Sequence, residues 1–294
     1  MKKIVLGTAQ FGLDYGIANK RGKVPKKEVF DILDYAWDKG IRFLDTAYLY
    51  GESEKLIGEF KLLCSKSFNV ISKFPRGKNG ITEILKVSLN RLNTHSIYGY
   101  IAHRVKDFLE GGFKWDEVEQ LKRQGLVEKI GFSLYYPDEL EYLFKREVDF
   151  DIVQVPYSVF DRRFEPYFEI LAKKGVDIYV RSVFLQGLFF LSIEELPEML
   201  RPAKKYLLKL ENISSNTGIS ISQICIGFVL LNKYIKGVVL GVDSLDNLLE
   251  NIEAFSNFNR SKIEKIKSDL LEVYIDDEDI IIPVSYTHLT LPTN

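Results

Sequence analysis

The chain has 294 residues, of which 46% are hydrophobic and 28% are charged, and its 40 basic and 41 acidic side chains leave a net charge of −1. This composition is typical of a globular protein with one large domain or two ordinary ones. The balanced charge argues against nucleic acid and against an anionic membrane surface as partners.

Targeting and metal-binding signals are missing from the sequence. No segment approaches the run of about 18 apolar residues that suggests a membrane span, and the amino terminus, MKKIVLGTAQFG, has too short an apolar run for a signal peptide. Cys64 and Cys225 lie far apart on apolar helical patterns, as free thiols do in a reducing compartment. With three histidines, they do not form a zinc-binding pattern. We therefore expect a cytoplasmic protein with no membrane segment and no metal.

Short apolar runs alternate along the chain with longer amphipathic segments. The runs predict strands at residues 4–8, 43–46, 69–74, 98–103, 129–134, 152–157, 177–184 and 237–242. Helical periodicity predicts helices at residues 26–39, 53–64, 81–92, 115–124, 138–145, 165–174, 198–217, 222–232, 245–255 and 261–273. Eight strand–helix units, with strands apolar on both faces, predict a single α/β domain folded as a closed (β/α)8 TIM barrel. A doubly wound parallel sheet is the alternative.

The last dozen residues break this pattern. Residues 283–294, PVSYTHLTLPTN, carry no apolar period, no charge and no helix cap, and they resemble translated adapter sequence at the end of an environmental gene prediction. We expect residues 1–282 to form the barrel and residues 283–294 to be a non-native or disordered tail.

Polar side chains lie at or near the ends of three neighbouring predicted strands. Asp45 ends the second strand, Lys73 lies near the end of the third and His103 ends the fourth, while Tyr50 follows the second. Taken singly, these could be a turn-capping carboxylate, a snorkelling lysine, a core histidine and a packed aromatic ring. Because barrel enzymes build their active sites at the C-terminal ends of the strands, the joint occurrence favours a catalytic site.

The chemistry of this cluster suits the donation of a proton. A free phenol has a pKa of about 10 and is a weak acid at neutral pH. A neighbouring ammonium group favours the phenolate, so we expect Lys73 to lower the pKa of Tyr50 and Asp45 to hold Lys73. His103 is placed to orient a substrate oxygen. Such a site can polarise a carbonyl group while another molecule delivers hydride.

These residues lie within segments that resemble a known family. The segment FLDTAYLYGESEKLIG closely resembles the signature of the aldo-keto reductases, and the similarity continues in the family's order through VISKF, IAHR, LKRQGLVEKIGFSLYYPDEL, IVQVPYSVFDRRF and GVDSLDNLLENIEAF, from about residue 3 to 258. The resemblance implies a (β/α)8 barrel and NAD(P)H-dependent reduction of an aldehyde or ketone, including sugar-like carbonyls. It also implies that Tyr50 is the general acid, Lys73 its activator, Asp45 the partner of Lys73 and His103 the residue that orients the carbonyl.

The resemblance further implies a cofactor site. Ser133 and Gln154 occupy the positions that hold the nicotinamide carboxamide, and residues 241–251 resemble the loop and helix start that grip the adenosine phosphate, with Glu250 and Asn251 at the adenine. The expected cofactor-binding residues are Gly7, Thr8, Ser133, Gln154, Arg181, Ser182, Phe184, Gln186, Gly241, Asp243, Asn247, Glu250 and Asn251.

Two places depart from the family pattern. Arg181 replaces the aromatic residue that commonly stacks on the nicotinamide, although an arginine plane can also stack. Gly241 and Asn247, with Asp243 close by, stand where many members place lysine and arginine on the 2′-phosphate of NADP. The missing cations weaken the attraction for that phosphate. The resemblance to the family still implies NADP as the expected cofactor, with NAD as the alternative.

The main hypothesis is an NAD(P)H-dependent aldo-keto reductase acting on a small-molecule carbonyl substrate. Two alternatives remain open: a cofactor-binding redox sensor or regulatory barrel with little turnover, and an isomerase or dehydratase that transfers no hydride. We expect the substrate to be selected by the loops after strands one, four and seven, including residues 11–15 and 184–191, and by the C-terminal segment. The sequence is compatible with a monomer but does not define the oligomeric state.

Overall fold

The structure is a computed structural model, and it describes residues 1–76, 80–110 and 112–282. Within these residues, neighbouring strands pair in parallel in sequence order, and the last strand pairs with the first, so that the sheet closes. The strands are β1 (Ile4–Gly7), β2 (Phe43–Asp45), β3 (Asn69–Phe74), β4 (Ile97–Ala102), β5 (Val127–Ser133), β6 (Ile152–Pro156), β7 (Asp177–Arg181) and β8 (Ile235–Gly241). The predicted single-domain (β/α)8 barrel is thus confirmed, and the doubly wound sheet is excluded because such a sheet keeps two open edges.

Helices cover the outside of the barrel. The α-helices are Ala9–Gly12, Lys26–Asp38, Ser53–Cys64, Gly80–Arg91, Val105–Leu109, Trp115–Arg123, Pro137–Lys145, Phe168–Lys173, Lys204–Thr217, Ile221–Leu231, Leu245–Ser256, Arg260–Lys265, Lys267–Leu271 and Glu278–Ile281. Short 3-10 helices are Glu165–Tyr167, Leu185–Phe190, Ile193–Glu195 and Glu198–Ala203. The helix Lys26–Asp38 shows why these segments fold, because its buried residues Val29, Ile32, Leu33 and Ala36 follow the spacing of one helical face.

Several predicted element bounds were wrong. The strand predicted to run to residue 184 ends at Arg181, because Ser182 takes a left-handed conformation with φ of 61°. The helix predicted at residues 198–217 begins as a 3-10 segment that contains Pro202 and becomes an α-helix only at Lys204. The helix predicted at residues 261–273 is two short helices that break at Ile266, where ψ is 4°.

The interior of the barrel is closed by an apolar plug, which we define as the inward-facing residues of the strand middles. It comprises Val5, Phe43, Ile71, Ile101, Ile152, Tyr179 and Val239, together with Tyr98. A second and larger apolar cluster lies between the strands and the helices around them. The plug makes the barrel a packed core rather than a pore, so a ligand has room only at its ends.

A membrane span is not found among single helices in the part of the chain that the structure describes. Only the bent pair Glu198–Thr217 and Ile221–Leu231, which turns through 96°, reaches the required length and apolar composition when the two are taken together. The predicted tail at residues 283–294 lies outside the described residues.

Candidate active site

A layer of polar residues and glycines lies above the apolar plug, at the C-terminal ends of the strands. Since side chains alternate along a strand, the residue two positions after each plug residue other than Tyr98 faces the same side. This rule gives Gly7, Asp45, Lys73, His103, Gln154, Arg181 and Gly241, and Ser133 ends the remaining strand. These eight residues, all proposed from the sequence as site residues, therefore share one layer at the ends of the strands.

Asp45 and Lys73 form a buried ion pair in this layer. The Lys73 Nζ donates to both carboxylate oxygens of Asp45, at 2.7 and 2.6 Å, and to the carbonyl oxygen of Thr46 at 3.0 Å. Asp45 is 4% exposed and Lys73 is 2% exposed. Burial lowers the pKa of Lys73, and the Asp45 charge opposes that shift. A buried pair of this kind is retained only when its remaining polar atoms are also bonded.

Gln154 and Thr8, both expected from the sequence to bind a cofactor, also hold Asp45 in place through contacts that the sequence did not indicate. The side-chain amide of Gln154 donates to Asp45 Oδ1 at 2.8 Å, and the backbone N–H and the hydroxyl of Thr8 donate to the Asp45 carbonyl oxygen at 3.0 and 2.9 Å. The hydroxyl of Ser53 donates to Thr8 Oγ1 at 2.8 Å and lies 3.1 Å from Thr46 Oγ1. These buried contacts fix both the backbone and the carboxylate of Asp45.

Tyr50 is positioned by a close approach between two backbone segments. A Cβ atom on Gly12 would lie 1.8 Å from the Tyr50 carbonyl oxygen, and one on Gly51, whose φ is +52°, would lie 2.4 Å from the Gly12 carbonyl oxygen. Only glycine fits at both positions, so the loop after β2 can dock on the helix Ala9–Gly12. This docking brings the half-buried ring of Tyr50 to the layer of polar residues.

The ring of Tyr50 lies between Lys73 and His103. The Lys73 Nζ is 5.1 Å from the centroid of the Tyr50 ring, and the His103 ring meets the tyrosine edge-on, at a centroid distance of 5.9 Å and an interplanar angle of 87°. The four proposed catalytic side chains, Asp45, Tyr50, Lys73 and His103, are therefore brought together at one end of the barrel.

The acidity of Tyr50 differs from the sequence-based expectation. Burial raises the pKa of Tyr50 well above its usual value, the nearby Asp45 charge raises it further, and the Arg181 guanidinium acts in the opposite direction. The expected lowering by Lys73 is not found, because the ammonium group is bonded to both oxygens of Asp45 and its charge is compensated. Tyr50 is accordingly a neutral phenol over the physiological pH range.

A single cavity of about 530 Å³ opens above these residues. That volume is within the range of small-molecule sites. Besides the four residues above, the cavity is lined by every residue expected to bind a cofactor, namely Gly7, Thr8, Ser133, Gln154, Arg181, Ser182, Phe184, Gln186, Gly241, Asp243, Asn247, Glu250 and Asn251. Tyr15, Tyr135, Gln10 and Lys20 also line it, and no sequence motif marked them individually.

The cavity contains polar atoms that need a partner. Gln10 Oε1, Gln154 Oε1, Gln186 Oε1 and Asn251 Nδ2 are buried and have no hydrogen-bond partner among the described residues. A buried polar atom without a partner carries a desolvation cost that a polar ligand can remove. These four amides line the same cavity, so its lining is suited to a polar ligand.

Arg181 is held by its own neighbours. Its guanidinium lies 4.2 Å from the centroid of the Tyr135 ring and donates to the Leu134 carbonyl oxygen at 3.0 Å and to Ser182 Oγ at 3.1 Å. The Tyr135 ring therefore covers one face of the guanidinium plane, and Arg181 still lines the cavity. The arginine plane has a defined orientation at the position where the family pattern has an aromatic residue.

Known proteins resemble this chain in sequence and in fold. The model of the Aldo/keto reductase family matches residues 3–269. The uncharacterized oxidoreductase YqkF of Bacillus subtilis is 25% identical over 91% of this chain and 95% of its own length, and the D-threo-aldose 1-dehydrogenase of a Pseudomonas species is 25% identical over 84% and 90%. The solved holo form of an aldo-keto reductase from Bacillus halodurans has a TM-score of 0.69 and 23% identity, and the match covers 90% of this chain and 91% of that one.

Proposed function

This chain belongs to the aldo-keto reductase family of oxidoreductases, and from that premise we propose that it transfers hydride from a nicotinamide dinucleotide to a small aldehyde or ketone, with Tyr50 as the proton donor. The observation that carries the proposal is the convergence of Asp45, Lys73, Tyr50 and His103 at the floor of one cavity.

Each of the four residues has a distinct proposed role. Tyr50 gives its phenolic proton to the carbonyl oxygen as that oxygen becomes an alkoxide, which is a much stronger base than a phenolate. Lys73 lies over the Tyr50 ring as one half of an ion pair with Asp45, and this pair fixes the position of the phenol. His103 lies edge-on to the Tyr50 ring, where it can orient the substrate oxygen. Fixed polar groups at the point of charge development are an effective means of lowering a barrier.

The cavity also supports proposals for the cofactor and for the substrate class. When bound, the dinucleotide supplies the hydride. Ser133 and Gln154 are suited to its carboxamide, because the Gln154 Oε1 has no partner among the described residues. Two further tyrosines, Tyr15 and Tyr135, also line the cavity. They suit a polyhydroxylated carbonyl compound, which agrees with the name of the aldose dehydrogenase among the relatives.

The first prediction concerns Tyr50. Tyr50→Phe removes the transferable proton but keeps the ring, so we expect kcat to fall by a factor of about 100 to 10,000 while cofactor affinity stays within a few-fold of the wild type. Carbonyl-dependent oxidation of NADH or NADPH measures the first quantity, and titration of cofactor fluorescence measures the second.

Tyr48→Phe is the matched control, because the Tyr48 ring packs on Arg91 and its residue does not line the cavity. Near-normal turnover of Tyr50→Phe would exclude the proposed role. Tight cofactor binding by the wild type with no turnover over a panel of aldehydes and ketones would instead favour the redox-sensor alternative.

A further inference from the structure

The helix Leu245–Ser256 begins at the edge of the cavity, next to Asp243. Two of its first three N–H groups are already bonded within the protein. The backbone N–H of Leu245 donates to Glu28 Oε1 at 3.2 Å, and that of Asn247 donates to the Ser244 hydroxyl at 3.1 Å. A helix N-terminus is ordinarily a favourable place for a phosphate group. Here the carboxylate of Glu28, which belongs to the helix Lys26–Asp38, occupies part of the space at the N-terminus where a phosphate group would bind.

The charge at this helix start is negative. Arg21 donates to both oxygens of Glu28, at 3.0 and 2.8 Å, and to the carbonyl oxygen of Asp243 at 3.1 Å. The ion pair with Glu28 and the charges of Asp243 and Asp246 raise the pKa of Arg21, and Arg21 lowers the pKa of Glu28. One guanidinium therefore faces three carboxylates, and residues 241–251 contain neither lysine nor arginine.

A buried amide beside this helix start points to a ligand. Asn251 is 3% exposed, and its Nδ2 has no hydrogen-bond partner among the described residues. Asn251 lines the cavity together with Asp243, Asn247 and Glu250. A buried N–H donor without an acceptor is costly, so the site is built for a polar ligand that brings an acceptor.

We propose that this end of the cavity selects NADH over NADPH, with the Asp243 carboxylate accepting hydrogen bonds from the adenosine ribose hydroxyls and the carboxylates around it repelling a 2′-phosphate. The inference rests on the proposed function, since it assigns the adenosine end of the dinucleotide to this part of the cavity. This proposal replaces NADP, the cofactor that the resemblance to the family implies, by NAD.

The physical basis is the charge of the added phosphate. A monoester phosphate carries about −1.5 to −2 charges at neutral pH. The same position in NADH carries a neutral hydroxyl, which donates a hydrogen bond to a carboxylate. Among the described residues, Arg21 is the arginine at the helix start, and it already donates to both oxygens of Glu28 and to the Asp243 carbonyl oxygen, so its charge is largely compensated before a 2′-phosphate arrives.

The second prediction is a difference in binding affinity, measured on the full chain by isothermal titration calorimetry with NADH and with NADPH. We expect the dissociation constant of the wild type to be at least about tenfold lower for NADH, because one extra unit-charge repulsion near a protein surface is worth on the order of a factor of ten. Asp243→Asn should reduce that ratio at least about threefold, and so should a rise of ionic strength, because salt screens the repulsion.

Glu253→Gln is the matched control, since it removes an exposed acidic charge from the same helix at a residue that does not line the cavity. It should leave the ratio unchanged. Glu28→Gln gives a second arm in which the amide can still accept from Leu245, and it should also favour NADPH. Circular dichroism confirms that each variant is folded.

The outcomes separate this inference from the proposed function. Equal or tighter binding of NADPH by the wild type overturns the selectivity alone, as does an NADH preference that Asp243→Asn and Glu28→Gln both leave intact. Failure of both dinucleotides to bind overturns the proposed function.

Discussion

Asp45 illustrates at the scale of single residues how the barrel prepares its site. Its carboxylate accepts from the ammonium of Lys73 and from the amide of Gln154, and its carbonyl oxygen accepts from Thr8. Removing one partner of a buried pair typically costs about 3 to 5 kcal/mol because the other charge is left uncompensated. The Asp45–Lys73 pair therefore keeps the site in one arrangement only while all of these hydrogen-bond partners are present.

The raised pKa of Tyr50 gives the third prediction. Reduction of a carbonyl needs the protonated phenol, and oxidation of an alcohol needs the phenolate as a base. Since burial and the Asp45 charge keep the folded-state pKa above the usual value, the phenol stays protonated through the neutral and mildly alkaline range. We expect kcat/KM for reduction to be flat between about pH 7 and 9.5, and that for oxidation to rise across the same interval.

Initial rates in both directions at a series of pH values test this expectation. Far-UV circular dichroism at each pH is the control, because it separates ionisation of Tyr50 from alkaline unfolding. A loss of reduction with an apparent pKa near 8 would instead support the original expectation that Lys73 makes the phenol more acidic.

The sequence could place some of these residues but not their contacts. Asp45 and Lys73 were predictable because both follow apolar strand residues at the two-residue period, which puts them on one face at one end of the barrel. The Gln154–Asp45 hydrogen bond joins residues 109 positions apart, and a glutamine in an apolar strand does not indicate its partner. The contact of Glu28 with the N–H of Leu245 spans 217 positions and was unpredictable for the same reason.

At the scale of secondary-structure elements, the loop after β7 is where the sequence pattern failed. The apolar residues of VRSVFL suggest a strand that continues to residue 184, yet Ser182, Leu185 and Gln186 have φ values of 61°, 45° and 58°. Non-glycine residues in this region cost roughly 1 to 3 kcal/mol each and persist only where the surroundings enforce them. Such strain is set by tertiary contacts, so no propensity could have revealed it.

Those contacts join the loop after β7 to the loop after β1. A Cβ atom on Gly187 would lie 2.5 Å from Ala18 Cβ, the N–H of Ala18 donates to the Gln186 carbonyl oxygen at 3.4 Å, and Lys20 pairs with Glu195. Ala18, Gln186 and Gly187 all line the cavity. The close packing of these two loops therefore defines one wall of the site.

The fourth prediction tests the contact between these two loops by substituting alanine for each of two glycines. Gly187→Ala should weaken cofactor binding about tenfold, because the added methyl group meets Ala18 and pushes the loops apart. Gly175→Ala is the matched control: Gly175 also has a positive φ, of +77°, but a Cβ atom there would meet nothing within 4 Å. Both variants should lose roughly 1 to 2 kcal/mol of stability from the strained backbone.

Thermal unfolding gives the stability change, and cofactor titration gives the affinity. If Gly175→Ala weakens binding as much as Gly187→Ala, the effect comes from general destabilisation, and the contact between the two loops does not shape the site.

At the scale of the whole molecule, closure of the barrel makes the site a product of the entire chain. The register Gly7↔Gly241 joins the first and last strands, and every strand ends in the layer that contains Asp45 and Lys73. Eight strand-end positions are thereby fixed relative to one another by one continuous set of backbone hydrogen bonds. This arrangement was predictable from the sequence because eight similar units leave few alternatives, whereas the loops above it were not.

The C-terminal segment completes this closed unit. Ile275, Ile280 and Ile281 are 1%, 1% and 2% exposed, and the N–H of Ile275 donates to the Phe160 carbonyl oxygen at 3.0 Å. Ile281 and Ile282 also line the cavity. On these contacts we propose that the functional domain comprises residues 1–282 and that residues 283–294 are dispensable.

The fifth prediction compares two shortened chains. A chain that ends at Ile282 should have the melting temperature and cofactor affinity of the full chain, because it keeps all three buried isoleucines. A chain that ends at Tyr274 loses them, and burying each such side chain is worth up to about 1.5 to 3 kcal/mol. Its melting temperature should therefore fall by roughly 10 °C or more, since about 1 kcal/mol corresponds to 2–4 °C for a domain of this size. A comparable fall for the chain that ends at Ile282 would show instead that residues 283–294 stabilise the barrel and belong to the native fold.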